Sequence, residues 1–381
     1  MTSMPATPPR RNARARRLCA ALLAASLLIA GCASQHGAPA ASDASAQTSA
    51  IQPSASALPS WQDSNARAAI LKFIGDVTRP GSPTYVAPEA RIAVFDNDGT
   101  LWSEQPQPFQ LMFMTDQLKA AAPHHPQWRR NPAYRALLAH DDAALARNQK
   151  AFLQLLSEAN SGMTTDAYDA TIHAWLANAR HPKFDRLYTD LVYQPQLELL
   201  ALLRANGFKV YIVSGGTSEF MRVWTEDAYG IAPEQVIGST ERLRYSARDG
   251  HAALVREPGF DFVNDGAGKP VAIYRAIGRR PILAFGNSDG DREMLEYTAS
   301  SPGETLELLL HHDDAEREFA YDRASKWARL DKAWDEANAR GWIVVSMKED
   351  WSTVYRTPEP TNPANSTSST GSTNPPKPAN P

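Results

Sequence analysis

The sequence predicts an α/β protein, an open parallel sheet with helices on both faces and a helical segment inserted into it. Three observations carry this. Short, unbroken apolar runs recur along the chain, as in residues 92–95, 210–213, 282–285 and 306–310, with a further candidate at 342–345. Helical patterns lie between them, and strands alternating with helices imply a parallel sheet covered on both sides. After the first run, residues 101–190 carry helical patterns and no convincing strand.

Taken in order, the chain begins with a segment unlike the rest. Arg10, Arg11, Arg14, Arg16 and Arg17 form a basic stretch without an acid, and residues 18–30 are apolar. That length is short for a membrane span and suits the apolar core of a signal peptide. The stretch ends in Ile29-Ala30-Gly31-Cys32, which resembles the bacterial lipoprotein box. The resemblance implies cleavage before Cys32, lipidation of that cysteine, and, with Ala33 following it, a place at the outer membrane facing the periplasm. An ordinary signal peptide with an incidental cysteine is the alternative. The only other cysteine, Cys19, leaves with the signal. No thiol then remains for a disulfide, a zinc site or a nucleophile.

Residues 32–60 are rich in Ala, Ser, Pro and Gln and read as a tether, and residues 357–381 as a disordered tail. The folded chain is therefore expected over 61–356, with a catalytic core of 61–100 and 191–356 and a helical cap of 101–190. Within the cap the patterns predict helices over Phe109–Ala121 and over residues 133–158 and 165–179. Within the core, leucines at 197, 200, 203 and the Asn206-Gly207 stop predict a helix over residues 196–205. The chain is 43% hydrophobic and 21% charged with a formal charge of −3, a balance that supports a packed core and argues against a general nucleic-acid binder.

The polar residues that follow three of the strands point to chemistry. Residues 92–95 run into Asp96-Asn97-Asp98-Gly99-Thr100, residues 210–213 into Ser214-Gly215-Gly216-Thr217, and residues 282–285 into Gly286-Asn287-Ser288-Asp289-Gly290-Asp291. Ligands of open parallel sheets bind at the carboxyl ends of strands, so the three segments are expected to form one polar site.

These segments resemble the motifs of the haloacid-dehalogenase superfamily of phosphatases, over roughly residues 91–295. Asp96-x-Asp98-Gly-Thr matches its first motif, Ser214 its second, Lys269 its third, and Gly286 to Asp291 its acidic fourth. The resemblance implies a Rossmann-like core, Asp96 as the nucleophile that forms an aspartyl-phosphate, and Asp98 as general acid and base. It also implies phosphoryl binding by Ser214, Gly215 and Lys269, and Mg²⁺ held by Asp96, by the Asp98 carbonyl, and by Asn287 or Asp291, with Asp289 as a further candidate. The substrate implied is a small phosphate ester; a phosphoserine phosphatase is one form, although Gln105 stands where that form has Glu. The family's fourth motif carries Asp where this chain has Asn287, so the third metal ligand stays open among Asn287, Asp289 and Asp291.

Other readings are kept beside this one. Gly286-x-Ser288-x-Gly290 after a strand matches a serine-hydrolase elbow, with His311 or His312 as the base. A non-catalytic ligand-binding lipoprotein of the same fold is another. The His311-His312 pair either borders the site or precedes a capping box of Asp313 and Glu316. Trp102, Phe109, Met112, Phe113 and Met114 either line the substrate or form a helical core stripe.

Overall fold

The computed structural model describes residues 57–248 and 250–357. The signal segment, Cys32, most of the tether and nearly all of the tail lie outside the described residues. None of the described helices is long and apolar enough to cross a membrane.

Eight strands form one sheet: β1 (Ile92–Phe95), β2 (Lys209–Thr217), β3 (Val236–Arg248), β4 (His251–Phe262), β5 (Leu283–Gly286), β6 (Leu306–Asp313), β7 (Ala320–Tyr321) and β8 (Ile343–Ser346). Their order is β4-β3-β2-β1-β5-β6-β7, with β8 also paired to β6. The pairs β1–β2, β1–β5, β2–β3, β5–β6 and β6–β8 are parallel, while β3–β4 and β6–β7 are antiparallel. The fold is thus mixed α/β with a mostly parallel central sheet.

All four residues of β1 are buried. Successive side chains of a strand point to opposite faces. Ala93 and Phe95 join one apolar core and Ile92 and Val94 the other, so the sheet is covered on both sides. Burying one such side chain contributes about 1.5–3 kcal/mol. This explains why the central strands read as unbroken apolar runs. Chain order reverses at β1, which sends the chain to β2 on one flank and receives β5 on the other. A crevice opens at such a switch point.

Helices Phe109–Ala121, Pro132–Leu138, Asp142–Arg147, Gln149–Ala159 and Thr165–Leu176 fill the stretch after β1. The single pattern over 133–158 breaks into three. His140 takes φ +51°, and Asp141 caps the next helix by accepting from the Ala144 N–H at 2.9 Å. The helix expected at 196 begins two residues earlier, with Pro195 in its first turn, where a missing N–H costs nothing. The packed chain also begins before Trp61. Leu58 is buried, and Ser60 donates its N–H and hydroxyl to Glu198 at 2.9 and 2.7 Å.

The long hairpin β3–β4 has no counterpart among the expected strands. Leu243, Tyr245 and Ala247 alternate with polar residues, but its outer half leaves Leu243, Tyr245 and Leu254 exposed, so the alternation marks no buried face. The legible signal is the Asp249-Gly250 pair between Arg248 and His251, which are register partners. The hairpin packs on the inserted helices. Arg256 exchanges backbone bonds with Met163 and Gly162 at 2.9 Å each, and the Gly259 N–H donates to Ser157 at 2.6 Å. Arg256 and Glu241 form a buried ion pair beneath the Tyr168 ring.

Candidate active site

The carboxyl ends of β1, β2 and β5 meet as expected. Asp96 follows β1, and its N–H donates to the Phe285 carbonyl on β5 at 2.9 Å, which fixes its backbone to the neighbouring strand. Lys269 arrives from the helix Gly268–Ile277, where Pro270 sits in the first turn. Its ammonium donates to Asp96 Oδ1 at 2.6 Å, to Asp291 Oδ1 at 2.6 Å and to the Val213 carbonyl at 2.8 Å. Three donors meet three acceptors, so the buried charge is fully satisfied. Burial alone would strip its proton, but the charges of Asp291 and Asp96 outweigh burial and hold Lys269 above its ordinary value.

Asp98 Oδ1 accepts from the Trp102 indole at 2.6 Å and from the Asn97 amide at 3.2 Å. Burial pushes the Asp98 carboxyl up, in the direction that suits a proton donor. A Cβ placed on Gly216 would lie 2.9 Å from Gln110 Oε1, 3.4 Å from Ser214 Oγ and 3.9 Å from Asp98 Oδ2. The bare backbone of Gly216 is therefore where the β1 acid, the β2 hydroxyl and the inserted helix converge. Ser214 Oγ accepts the Gly216 N–H at 3.1 Å, and Asn264 steadies the segment by donating to the Ser214 carbonyl at 3.0 Å.

Gly99 takes φ +73°, and a Cβ there would lie 2.0 Å from Glu104 Oε1 and 2.1 Å from Asn287 Nδ2. Only glycine permits this turn and this contact. Asn287 Nδ2 donates to Glu104 Oε1 at 2.6 Å, while Asn287 Oδ1 accepts from Thr100 at 3.1 Å. Glu104 also accepts from the Tyr321 hydroxyl at 2.7 Å. Burial pushes its carboxyl well up. Glu104 lines the same cavity as Asp96 and Asp98; in the sequence it stands out only as the neighbour of Gln105, without an assigned role.

Asp291 is fully buried and turned inward. Its Oδ1 takes Lys269, and its Oδ2 accepts the Asn287 and Ser288 N–H groups at 3.0 Å each and the Ser288 hydroxyl at 3.2 Å. Asp291, a candidate metal ligand from the resemblance, here positions Lys269 and turns the β5 loop. Asp289 lines the cavity, but its Oδ1 accepts the Asp331 and Ala333 N–H groups at 3.0 and 2.9 Å, at the start of the helix Lys332–Arg340. No group of three or more His, Cys, Asp and Glu among the described residues is arranged to hold a metal through side chains alone.

The serine-hydrolase reading loses its base. Ser288 Oγ donates to Asp291, and neither histidine partners it. His311 lies beside Asp313 and Asp322. His312 is buried, donates Nε2–H to the Gly99 carbonyl at 2.7 Å and has Nδ1 3.3 Å from Glu318. His312 thus braces the Asp96–Thr100 turn from behind. Asp313 caps a different helix from the one expected, accepting from Ser346 Oγ and the Lys348 N–H. Of the aromatic and sulfur residues left open, Trp102, Phe109 and Phe113 are core, while Met114 reaches the cavity wall.

Gln110 is a residue the sequence did not reveal. From the helix Phe109–Ala121 its amide donates to Thr217 Oγ1 at 2.7 Å and accepts the Thr217 N–H at 2.8 Å. This two-bond clamp ties the inserted helices to the end of β2.

A buried lysine–carboxylate centre at the switch point of a mostly parallel sheet marks an α/β enzyme with its site at the strand ends. The family model for haloacid dehalogenase-like hydrolases matches residues 93–296, and the chain belongs to that family. Solved structures resemble the chain at low identity. A protein of unknown function from Anaerococcus prevotii DSM 20548 is 17% identical, with 65% of this chain and 86% of that one covered at a TM-score of 0.43. A protein of unknown function from Bordetella pertussis Tohama I is 14% identical, covering 67% and 97%, with a TM-score of 0.42. A substrate-bound phosphoserine phosphatase is 13% identical, covering 66% and 97%, with a TM-score of 0.30. No curated protein matches the chain.

Proposed function

We propose that the protein is a Mg²⁺-dependent phosphomonoester hydrolase that works through an aspartyl-phosphate on Asp96. The observation that carries this is the convergence of Asp96, Asp98 and Ser214 on one cavity, with Lys269 2.6 Å from Asp96. In the first half-reaction the Asp96 carboxylate attacks phosphorus, the ester P–O bond breaks, and the Asp98 carboxyl gives its proton to the departing oxygen. In the second, the Asp98 carboxylate takes a proton from water, whose oxygen attacks phosphorus and releases Asp96. Ser214 Oγ and the Gly215 N–H bind phosphoryl oxygens, and Lys269 offsets charge at the nucleophile.

The oxygen donors at the floor suit Mg²⁺, a hard cation commonly held by one or two carboxylates together with water and substrate phosphate. The Asp96 carboxylate, the Asp98 carbonyl and the neutral Asn287 oxygen would hold it, with Glu104 beside them. Bound there, the cation neutralises the charge of the phosphate dianion. The test is hydrolysis of an aryl phosphate with Mg²⁺. Activity is expected to vanish with chelator and to fall at least ~10⁴-fold in Asp96→Asn; an unimpaired Asp96→Asn enzyme overturns the mechanism.

The lipoprotein box supports a periplasm-facing anchor at Cys32. In a bacterial host Cys32→Ser is expected to move the protein from the membrane fraction to the soluble one; unchanged partitioning removes the anchor from the proposal.

A further inference from the structure

The floor of the cavity is polar, but its walls are not. The space is about 520 Å³, enough for a small organic group beyond the phosphate. Leu111 and Met114 come from one inserted helix, Leu153 and Leu156 from another, Phe260 from β4, and Val263 from just beyond it. Leu153 and Val263 are 41% and 61% exposed, although they stand at a cavity mouth, where an apolar ligand would cover them.

Charge follows the same division. Of the lining cations, Lys269 is committed to Asp96, Asp291 and the Val213 carbonyl. Arg329 is the other; it is solvent-exposed and paired with Asp331 at 3.2 Å. The acids Asp265 and Asp289 lie on the lining too. The Asp265 carboxylate reaches within 3.8 Å of where a Cβ on Gly215 would stand and within 2.6 Å of one on Gly290. It therefore overhangs the phosphate-binding segment, where a second anionic group of a substrate would meet it.

We infer that the cavity selects phosphate monoesters of apolar alcohols, aromatic or branched, that carry no second anionic group. This rests on the phosphatase reading above. A carboxylate or second phosphate would leave water for apolar walls and an unpaired Asp265, a repulsion that discriminates as strongly as an attraction. An apolar leaving group instead covers the Leu153, Phe260 and Val263 side chains.

The full chain, with Mg²⁺, is given phenyl, 1-naphthyl and 3-carboxyphenyl phosphates and O-phosphoserine. Phenyl phosphate is expected to exceed its carboxylated analogue in kcat/KM by at least ~10-fold, naphthyl phosphate to exceed phenyl, and phosphoserine to be the poorest. Phe260→Ala should bring the naphthyl-to-phenyl ratio toward one. Val263→Lys, at an exposed position, should raise kcat/KM for 3-carboxyphenyl phosphate alone. Equal or better cleavage of the carboxylated ester by the unaltered chain overturns the inference and leaves the phosphatase reading standing. Calorimetry with benzylphosphonate and phosphonoacetate separates the two in the other direction. With no ester cleaved, preferential binding of benzylphosphonate keeps the inferred class and removes the phosphatase reading, whereas equal or absent binding removes both.

Discussion

The floor and the wall of the cavity are built in different ways. Asp96, Asp98, Ser214 and Asn287 lie in or within a few positions of a strand, and Lys269 at a helix start. Asp96 is bonded through its N–H to β5, and Lys269 reaches the Val213 carbonyl of β2. The wall comes from segments far apart in sequence, Leu111, Leu153 and Phe260 among them, and meets the floor through a few side-chain bonds such as the Gln110–Thr217 clamp. Chemistry is thus encoded locally and specificity by tertiary packing, so variants at the two places should fail differently.

The largest effect is expected at the floor. Lys269→Met leaves Asp96 and Asp291 buried without their shared cation, which should destabilise the fold by about 3–5 kcal/mol and abolish turnover. Denaturant unfolding alongside the phosphatase assay checks this, and a stable, active variant would break the distinction. Gln110→Ala should do less. It frees the Thr217 N–H and hydroxyl and loosens wall from floor, lowering kcat/KM roughly tenfold, or about 1.4 kcal/mol, mainly through KM. A pure kcat loss would place Gln110 with the floor.

The smallest effect tests a buried acid remote from the site. Glu307 on β6 is buried, its Oε1 lacks a hydrogen-bond partner, and burial pushes it up to about 7. Its folded value lies above its unfolded one. The stability it contributes is therefore complete below about pH 4.5 and is lost as pH rises through about 7. Glu307→Gln should be more stable than the unaltered chain at pH 8 by ~1–3 kcal/mol, with the difference shrinking toward pH 5. Thermal melts at both pH values measure it; a gain that does not depend on pH removes ionisation as the cause.

The same division governs what the sequence disclosed. β1, β2, β5 and β6 were legible because burial on both faces leaves an apolar run; β8 showed the same run although only Val345 is fully buried. Asp96, Asp98 and Ser214 were legible because they follow those runs, and Lys269 because a lone lysine stands where the resembling motif has one. The hairpin β3–β4 was not: Leu243, Tyr245 and Ala247 alternate with polar residues, but short polar-flanked alternation that ends exposed gives no unbroken apolar run. The roles of Glu104 and Gln110 were hidden because each acts through a partner more than a hundred residues away, at Asn287 and Thr217 respectively. Asp291 was legible at its strand end, but its bonds to Lys269 and to the Asn287 and Ser288 N–H groups were not, because spacing does not show which way a carboxylate turns.

The contact between Asn287 and Glu104 also constrains how this chain can vary. The Asn287 amide donates to the Glu104 carboxylate at 2.6 Å. Restoring the usual acid by Asn287→Asp alone would turn that bond into an encounter of two carboxylates in a buried place. Loss of Glu104 alone would leave the amide and the Tyr321 hydroxyl without their shared acceptor. The two positions are therefore coupled across the β1 and β5 loops, and a change at 287 is felt at 104. Neutrality at 287 is half of a paired state, readable as a departure from the motif only when the other half is ignored.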